Sequence, residues 1–208
     1  ICYPQGKNKN SYTIPDSVTE INTGAFEGMY SLENVILGNS IKDLPIFAGC
    51  TMLKSIVIGN SVKTIPANAF KDCTSLANII IPDSVTTIGK DAFNGCSALA
   101  SITIGDSVTN IGDYAFYRCT ALASITLGDS VTNIGDNAFY RCTALTNINI
   151  PASITSIGEK AFFSCGALSN ISFEGTVEEW NAINKGDNWN NKVPATEVVC
   201  SDGVVSLK

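Results

Sequence analysis

The chain has 208 residues, of which 45% are apolar and 15% are charged, and its formal net charge is −6. This composition excludes an intrinsically disordered chain, and the scattered Lys and Arg side chains exclude the basic patch that nucleic acid or anionic lipid would need. The chain has no histidine, which excludes every catalytic Ser-His or Cys-His pair and the most common metal ligand. No apolar run approaches the roughly 18–20 residues that span a bilayer.

Residues 1–15 are predicted to form an N-terminal capping hairpin or partial repeat. The first arm of the hairpin is Ile1–Pro4, the turn is the polar stretch Gln5–Asn10, and the second arm is Ser11–Pro15. The second arm places Tyr12 and Ile14 in step with the apolar strand positions of the later repeats. A hairpin here would cover the first end of the array, where an open solenoid exposes a strand edge and apolar core.

Residues 16–173 contain about seven coils of one internal repeat. A phenylalanine recurs once after 21 residues and then five times after 23, followed three residues later by methionine or cysteine and three further on by leucine. The phenylalanines are Phe26, Phe47, Phe70, Phe93, Phe116, Phe139 and Phe162. Each leucine opens an alternating stretch such as Ser101–Ile104, which is typical of a strand. The period predicts a repeat solenoid, a right-handed superhelix with a parallel β-sheet on one face, short second strands and helical turns elsewhere, and a cap at each end.

The single short interval falls between Ile41 and Phe47, which are two residues closer than their equivalents in the other coils. A solenoid tolerates changes of length in its outer turns. The deletion therefore predicts a local kink and no break in the stack.

Six cysteines share one position of the repeat, and Met29 occupies that position in the first coil. They are Cys50, Cys73, Cys96, Cys119, Cys142 and Cys165. A zinc site is disfavoured because the chain has neither histidine nor a Cys-x-x-Cys pair. Disulfides are disfavoured because parallel stacked side chains keep their Cβ atoms about 5 Å apart, farther than a disulfide prefers. We predict free, structural thiols that form a core ladder with Phe70, Phe93, Phe116 and Phe139.

The other two cysteines, Cys2 and Cys200, are predicted to lie in opposite caps, most of the length of the array apart, so they cannot pair with each other. Whether either pairs with anything else stays open.

Asp83, Asp106 and Asp129 form a column that follows the predicted strands. Stacked carboxylates are suitable ligands for calcium. The favoured alternative is that each aspartate closes its own turn by accepting hydrogen bonds from backbone amides. The glycine- and aspartate-rich signature of calcium-binding repeats is absent, and calcium binding stays an open alternative.

The outward-facing positions of the predicted strands change character along the array. Their central column is apolar at Ile36, Val57 and Ile80 and polar in the four coils that follow. A contiguous exposed apolar patch is typical of an interface, so these three residues are candidates for contact with a partner, a second copy or a neighbouring domain. The alternative is that β-branched residues simply suit strands.

A second candidate surface contains Tyr117, Tyr140 and Phe163 in one column, with Arg118 and Arg141 beside them. Aromatic and arginine side chains are common in binding hot spots and in sugar stacking. The favoured alternative is a self-supporting ladder with local ion pairs.

Residues 174–208 depart from the period and are predicted to form a C-terminal cap. Thr176–Ile183 has the pattern of a short amphipathic helix, and Glu197–Val205 has that of a hairpin. Trp180 and Trp189 could form a ligand platform, but the favoured role is to cover the last coil, because capping segments depart from the repeat consensus.

The stretch from Ile81 to Leu99, Ile-Pro-x-Ser-Val-Thr-x-Ile-Gly-x-x-Ala-Phe-x-x-Cys-x-x-Leu, resembles the BspA-like leucine-rich repeats of bacterial surface proteins. Tyr3–Lys7 and Glu179–Ile183 resemble the segments that flank such arrays. The resemblance extends over nearly the whole chain. It implies a secreted or cell-surface location and a role in adhesion to host matrix proteins or other cells, and it brings no set of functional residues.

We therefore expect a non-enzymatic extracellular binding or adhesion module that recognises a protein or glycan through its strand face. We expect no catalytic residue, metal or cofactor, no nucleic-acid partner and no membrane insertion, and the oligomeric state is left open. The alternative is a structural spacer or scaffold domain within a larger surface protein. The nearly identical coils of residues 84–150 favour the spacer, whereas the divergent surface of the first three coils favours binding.

Overall fold

The computed structural model of the protein describes residues 10–207. The first arm of the predicted N-terminal hairpin, with Cys2, lies outside these residues. In chain order the elements are β1 (Ser11–Thr13), β2 (Asn34–Ile36), β3 (Ser55–Val57), β4 (Thr64–Ile65), β5 (Asn78–Ile80), β6 (Thr87–Ile88), β7 (Ser101–Thr103), β8 (Asn110–Ile111), β9 (Ser124–Thr126), β10 (Asn133–Ile134), β11 (Asn147–Ile150), β12 (Ser156–Ile157), β13 (Asn170–Phe173), α1 (Val177–Ala182), β14 (Asn184–Lys185), β15 (Glu197–Val199) and β16 (Val204–Ser206).

The strands form two parallel ladders along the solenoid. The main ladder runs β1-β2-β3 and, after an interruption, β5-β7-β9-β11-β13-β15, with β16 antiparallel to β15. The second ladder runs β4-β6-β8-β10-β12-β14. Equivalent residues of successive repeats face each other, as Ile148 faces Ile125 and Ile171. This register confirms the predicted repeat solenoid with its main sheet and short second strands.

The core is a set of stacked columns that run the length of the array. Strand side chains alternate between buried and exposed, so that Ile79 and Ile102 point inward while their neighbours point outward. From Phe70 to Phe162 the phenylalanine rings stack with centroids 5.1–5.2 Å apart. One coil alone could not bury these side chains on both sides, so stability comes from stacking.

Successive coils approach so closely that some turn positions require glycine. A Cβ atom on Gly135 would lie 2.6 Å from the backbone nitrogen of Asp113 in the preceding coil and 2.7 Å from the carbonyl carbon of Gly112. Both are backbone atoms, which cannot move aside as a flexible side chain could.

The segment around each core phenylalanine was predicted to be a helical turn, and it is a pair of hydrogen-bonded turns. The Tyr117 N–H donates to the Tyr114 carbonyl, and the Cys119 N–H donates to the Phe116 carbonyl, each at 3.1 Å. Tyr114 and Arg118 have φ values of 56° and 60°, and left-handed residues do not continue a right-handed helix. Within residues 10–207, α1 is the only α-helix.

The two-residue deletion leaves the stack continuous. Asn34 in β2 faces Ser55 in β3 across the short interval. The second ladder begins only with β4, in the coil after the deletion. The main ladder is interrupted one coil after the deletion, between β3 and β5, which belong to separate sheets. The phenylalanine stack spans this interruption, with the rings of Phe47 and Phe70 5.6 Å apart.

Both ladders continue past residue 173, where the sequence period fails. Ser156 in β12 faces Asn184 in β14, 28 residues further along the chain, and Ile171 in β13 faces Val198 in β15. The inserted helix α1 accounts for the extra length of this last turn. A capping box between Thr176 and Glu179 fixes the start of the helix.

Both tryptophans are buried beneath this last turn. The ring of Trp180 lies 5.3 Å from that of Phe173 and 5.7 Å from that of Trp189, and Trp189 packs edge-on against Phe162 at 6.2 Å. The Lys185 ammonium donates to the Trp180 carbonyl at 2.6 Å, which satisfies a carbonyl near the end of α1. The aromatic side chains therefore close the apolar core at this end.

Candidate functional site on the strand face

The outward face of the main sheet, which we call the strand face, carries the first candidate site. Ile36 is 47% exposed, Val57 is 55% exposed and Ile80 is 69% exposed. Parallel pairing places Ile36 directly opposite Val57, and Ile80 opposite Thr103. The structure therefore brings the predicted residues together in one outward column, which is polar from Thr103 to Ser172 and apolar again at Val199 of β15.

A surface cavity of about 630 Å³ opens on this face where the main ladder is interrupted between β3 and β5. Val57 and Ile80 line it from either side of the interruption, and Thr103 lines it from the next strand. The turns after the strands contribute polar groups, chiefly Asn60, Asp83 and Asp106. The cavity is thus apolar where the sheet lies and acidic along the edge formed by the turns.

The aspartate column links coils, which corrects the prediction that each aspartate closes its own turn. The Asp106 N–H donates to the Asp83 carboxylate at 3.2 Å, and the Asn60 N–H donates to the Asn39 side-chain oxygen at 3.1 Å. Each accepting side chain therefore forms a hydrogen bond with the backbone amide of the residue at the same repeat position in the following coil. Within residues 10–207, no three acidic or cysteine side chains are grouped closely enough to hold a metal ion.

An ion pair lies beside the apolar patch. The Lys54 ammonium lies 2.7 Å from the Glu33 carboxylate, and this hydrogen bond lowers the pKa of Glu33. The charge of Lys54 is thereby matched within the chain. No lysine or arginine lines the cavity.

Sequence reasoning missed two further exposed apolar side chains in the same part of the chain. Tyr30 is 69% exposed and Met52 is 45% exposed. Tyr30 occupies a position that holds threonine or serine in the next five coils, and Met52 stands where the other coils have serine or alanine. A comparison of every repeat column for departures from its consensus would have found both.

The second candidate surface contains a continuous aromatic stack. Tyr117 and Tyr140 have ring centroids 5.0 Å apart, and Tyr140 and Phe163 have centroids 5.1 Å apart. Arg118 lies over the ring of Tyr117 at 5.3 Å and Arg141 over that of Tyr140 at 5.6 Å.

Two more side chains extend this aromatic column at its ends. Tyr114 lies 5.7 Å from Tyr117 in a tilted arrangement, and Lys192 lies over Phe163 at 5.1 Å. Each ring of Tyr117, Tyr140 and Phe163 thus has at least two ring or cation partners inside the chain. Partner binding by this column stays a prediction.

The six cysteines of the repeat are buried and free. Each thiol donates to the carbonyl of the core phenylalanine in the preceding coil, at 3.0–3.2 Å; Cys119, for example, donates to Phe93 at 3.2 Å. Sequence reasoning missed this hydrogen bond, whose partners are 26 residues apart in the regular coils.

Burial raises the pKa of the Cys50 thiol to about 11 and also raises the pKa values of the Cys73, Cys96 and Cys119 thiols. These thiols stay protonated at neutral pH, and a protonated, buried thiol is a poor nucleophile and a poor metal ligand. The ladder is therefore part of the core and offers no reactive group at the surface.

No helix in the described part of the chain has the length and hydropathy needed to cross a membrane.

Comparison with known proteins identifies the repeat. The sequence matches the BspA type leucine rich repeat region in two overlapping stretches, residues 2–119 and 63–183, with six copies. A comparison with curated proteins gives no match. Among solved structures, a T. pallidum leucine-rich-repeat protein is 31% identical with a TM-score of 0.72, over 78% of this chain and 79% of that one.

Two other solved structures are similar over more of this chain. A Bacteroides ovatus leucine-rich-repeat protein is 26% identical with a TM-score of 0.56, over 92% of this chain and 63% of that one. A Eubacterium ventriosum leucine-rich-repeat protein, at 20% identity and a TM-score of 0.66, shares the fold over 90% of this chain and 59% of that one. This chain spans about three fifths of those two proteins. Because the repeat match extends over residues 2–183 and the stacked parallel register agrees with it, the chain belongs to the family of BspA-type leucine-rich-repeat proteins.

Proposed function

We propose that this protein is a non-enzymatic extracellular or cell-surface module that binds a partner through the N-terminal half of its strand face. The observation that carries the proposal is the coincidence of the exposed column Ile36, Val57 and Ile80 with the cavity between β3 and β5. Exposed contiguous apolar side chains beside a cavity are what an interface needs and what a free surface avoids.

The chemistry of the face favours a protein partner over a glycan. Sugar rings stack on exposed aromatic side chains, and the outward column of the described strands contains aliphatic, hydroxyl and amide side chains without an aromatic ring. The rings of Tyr117, Tyr140 and Phe163 are engaged with one another and with cations. Aliphatic side chains beside carboxylates instead suit the mixed surface of a polypeptide.

A structural spacer is the second candidate. The central column from Thr103 through Thr126 and Asn149 carries small polar side chains and repeats with little change. A spacer needs a uniform, inert surface of this kind. The two roles can share one chain, with partner binding in the first three coils and spacing in the rest.

The absence of enzymatic activity is part of the proposal. Catalysis needs titratable groups that converge on one enclosed position. The carboxylates at the cavity are spread along a column that repeats from coil to coil, as with Asp83 and Asp106. No nucleophile paired with a base lines the cavity.

The test is a comparison of two triple variants in a binding screen. The first changes Ile36, Val57 and Ile80 to Thr, and the matched control changes Thr126 and Asn149 to Ser and Ser172 to Thr, on the polar half of the same column and outside the cavity. Both are assayed by surface plasmon resonance against extracellular matrix proteins and by a glycan array. We expect the apolar variant to lose at least about tenfold in affinity for a protein that the wild type binds, as hot-spot residues do, while the control keeps its affinity.

Equal binding by the two variants would place the interface elsewhere on the solenoid. Binding of glycans alone would replace the protein partner with a carbohydrate. If the wild type binds nothing in either screen, the spacer role is the better account of the strand face.

A further inference from the structure

We propose that the cavity between β3 and β5 receives a lysine or arginine side chain from an extended segment of a partner protein. This proposal rests on the proposed function and specifies the chemistry of its partner. Three features of the cavity support it: its shape at the interruption, its apolar wall and the two carboxylates along its edge.

The interruption provides the space. Everywhere else along the main sheet, the described strands are joined to their neighbours, but β3 and β5 belong to separate ladders. The outward side chains of Val57 and Ile80 border this opening, and the cavity of about 630 Å³ extends from it to the turns that follow. A long side chain entering here would pass between two aliphatic walls before it reaches the turns.

The aliphatic walls match the stem of a lysine or arginine side chain. These side chains bury their methylene groups against apolar surface while the charged group stays in a polar setting. Val57 and Ile80 are more than half exposed, so they have surface available for such a stem. A small anionic or purely polar ligand would leave both of them uncovered.

The turn edge of the cavity provides the charge. Asp83 and Asp106 are the charged residues that line the cavity. One oxygen of the Asp83 carboxylate accepts a hydrogen bond from the Asp106 amide, and its second oxygen accepts none from the described part of the chain. The Asp106 carboxylate accepts no hydrogen bond from residues 10–207.

Within residues 10–207, no lysine or arginine forms an ion pair with these carboxylates. Lys54, which directly precedes β3, has its ammonium engaged by Glu33 at 2.7 Å. The Asn60 side chain adds a neutral polar group at the same edge. A guanidinium or ammonium group would therefore meet the carboxylates of Asp83 and Asp106, which have no cationic partner among residues 10–207, and carboxylates bind such groups by charge-assisted hydrogen bonds.

The geometry also indicates what lies beside the cation in the partner. Alternate side chains of an extended segment are about 6.4–6.8 Å apart on one face. With the cation in the cavity, the side chain two positions away lies over the column of Ile36 and Val57. The partner segment should therefore carry an apolar residue two positions from its lysine or arginine.

The experiment is a selection of random heptapeptides displayed on phage against the full chain, followed by titration of the selected peptides. We expect enrichment of a lysine or arginine at a fixed position with an apolar residue two positions away. Replacing that cation with glutamine, or introducing Asp83→Asn with Asp106→Asn into the protein, should weaken binding about fivefold or more at low salt. The affinity should also fall as NaCl is raised from about 0.05 M to 0.5 M.

The chain offers a matched control in Asp129→Asn, which changes the same repeat column outside the cavity. An asparagine at 83 keeps a side-chain oxygen for the Asp106 amide, and circular dichroism checks that the fold is retained. Peptides without a fixed cation, no enrichment at all, or equal affinity of the Asp129 variant and the double variant would each overturn the proposal.

The outcomes also separate this inference from the proposed function. If the selected peptides lose affinity for the Ile36, Val57 and Ile80 to Thr variant but keep it for the aspartate variant, the strand face binds and the cation pocket is wrong. If neither variant affects binding, both proposals fail.

Discussion

Raising the pH above 9 should destabilise this protein progressively, because its buried thiols cannot ionise in place. Burial raises the pKa of Cys50 from its ordinary 9.0 to about 11. Burial raises the pKa values of four more thiols well above 9.0: Cys73, Cys96, Cys119 and Cys142. In the unfolded chain the same thiols are exposed and ionise near their ordinary value. The folded chain therefore holds protons that the unfolded chain releases.

The sign and size of the effect follow from this difference in bound protons. Stability falls with pH wherever the unfolded state binds fewer protons, by about 1.4 kcal/mol per pH unit for each such thiol. The contribution of these protonated thiols to the free energy of unfolding is fully present below pH 9 and is lost as the pH rises. The contribution of Cys50 stops changing near pH 11, where its folded-state pKa lies. One pH unit above the pKa of the thiols in the unfolded chain, the five thiols together should lower the free energy of unfolding by about 7 kcal/mol. An ordinary domain has a total free energy of unfolding of about 5–15 kcal/mol.

The assay is urea unfolding followed by circular dichroism at pH 8.0, 9.0, 9.5 and 10.0, chosen on the basis of these pKa values, with a reductant present. Changing both Cys96 and Cys119 to Ala should reduce the slope of stability against pH by about 2.7 kcal/mol per unit. Met29→Ala is the control, because it alters the same repeat column without removing a thiol. Stability that is flat between pH 8 and 10, or a slope that the double variant leaves unchanged, would refute the reasoning.

Two further predictions concern packing between coils. Phe116→Ala should destabilise the protein by about 3–5 kcal/mol in urea unfolding, because it removes a fully buried ring from the middle of the stack; a loss under about 1 kcal/mol would contradict a continuous core. Gly135→Ala should lower the melting temperature, because the new Cβ would meet backbone atoms of the preceding coil. The matched variant Gly166→Ala should leave the melting temperature nearly unchanged, because no atom lies within 4 Å of its Cβ position. Equal melting temperatures for the two variants would contradict the close approach of coils.

The period alone predicts most of the fold and the placement of the strand-face residues. When every coil repeats the same pattern, equivalent side chains must stack, and this places Ile36 next to Val57 in one outward column. The alternation within each strand then decides which side chains face outward. Local patterns were also sufficient for the start of the C-terminal helix, where Thr176 and Glu179 form a capping box.

Local patterns failed where a contact joins different coils. A helical turn was predicted around each core phenylalanine, but the left-handed residues Tyr114 and Arg118 interrupt it. The backbone amides of both residues donate to carbonyls of the following coil. Asp83 was expected to bond its own turn, and it accepts the amide of Asp106 instead. No local signal distinguishes these alternatives, because both depend on how far one coil is displaced from the next.

The order of residues by itself determined the solenoid, its buried columns and the apolar outward positions of the first three coils. When every coil has the same pattern, its apolar faces can be covered only by the neighbouring coils, so the coils must stack. Only the tertiary structure decided where the main ladder is interrupted, and hence where the cavity between Val57 and Ile80 opens. Hydrogen bonding between β3 and β5 depends on the spacing of two whole coils, which is set by all the contacts between them.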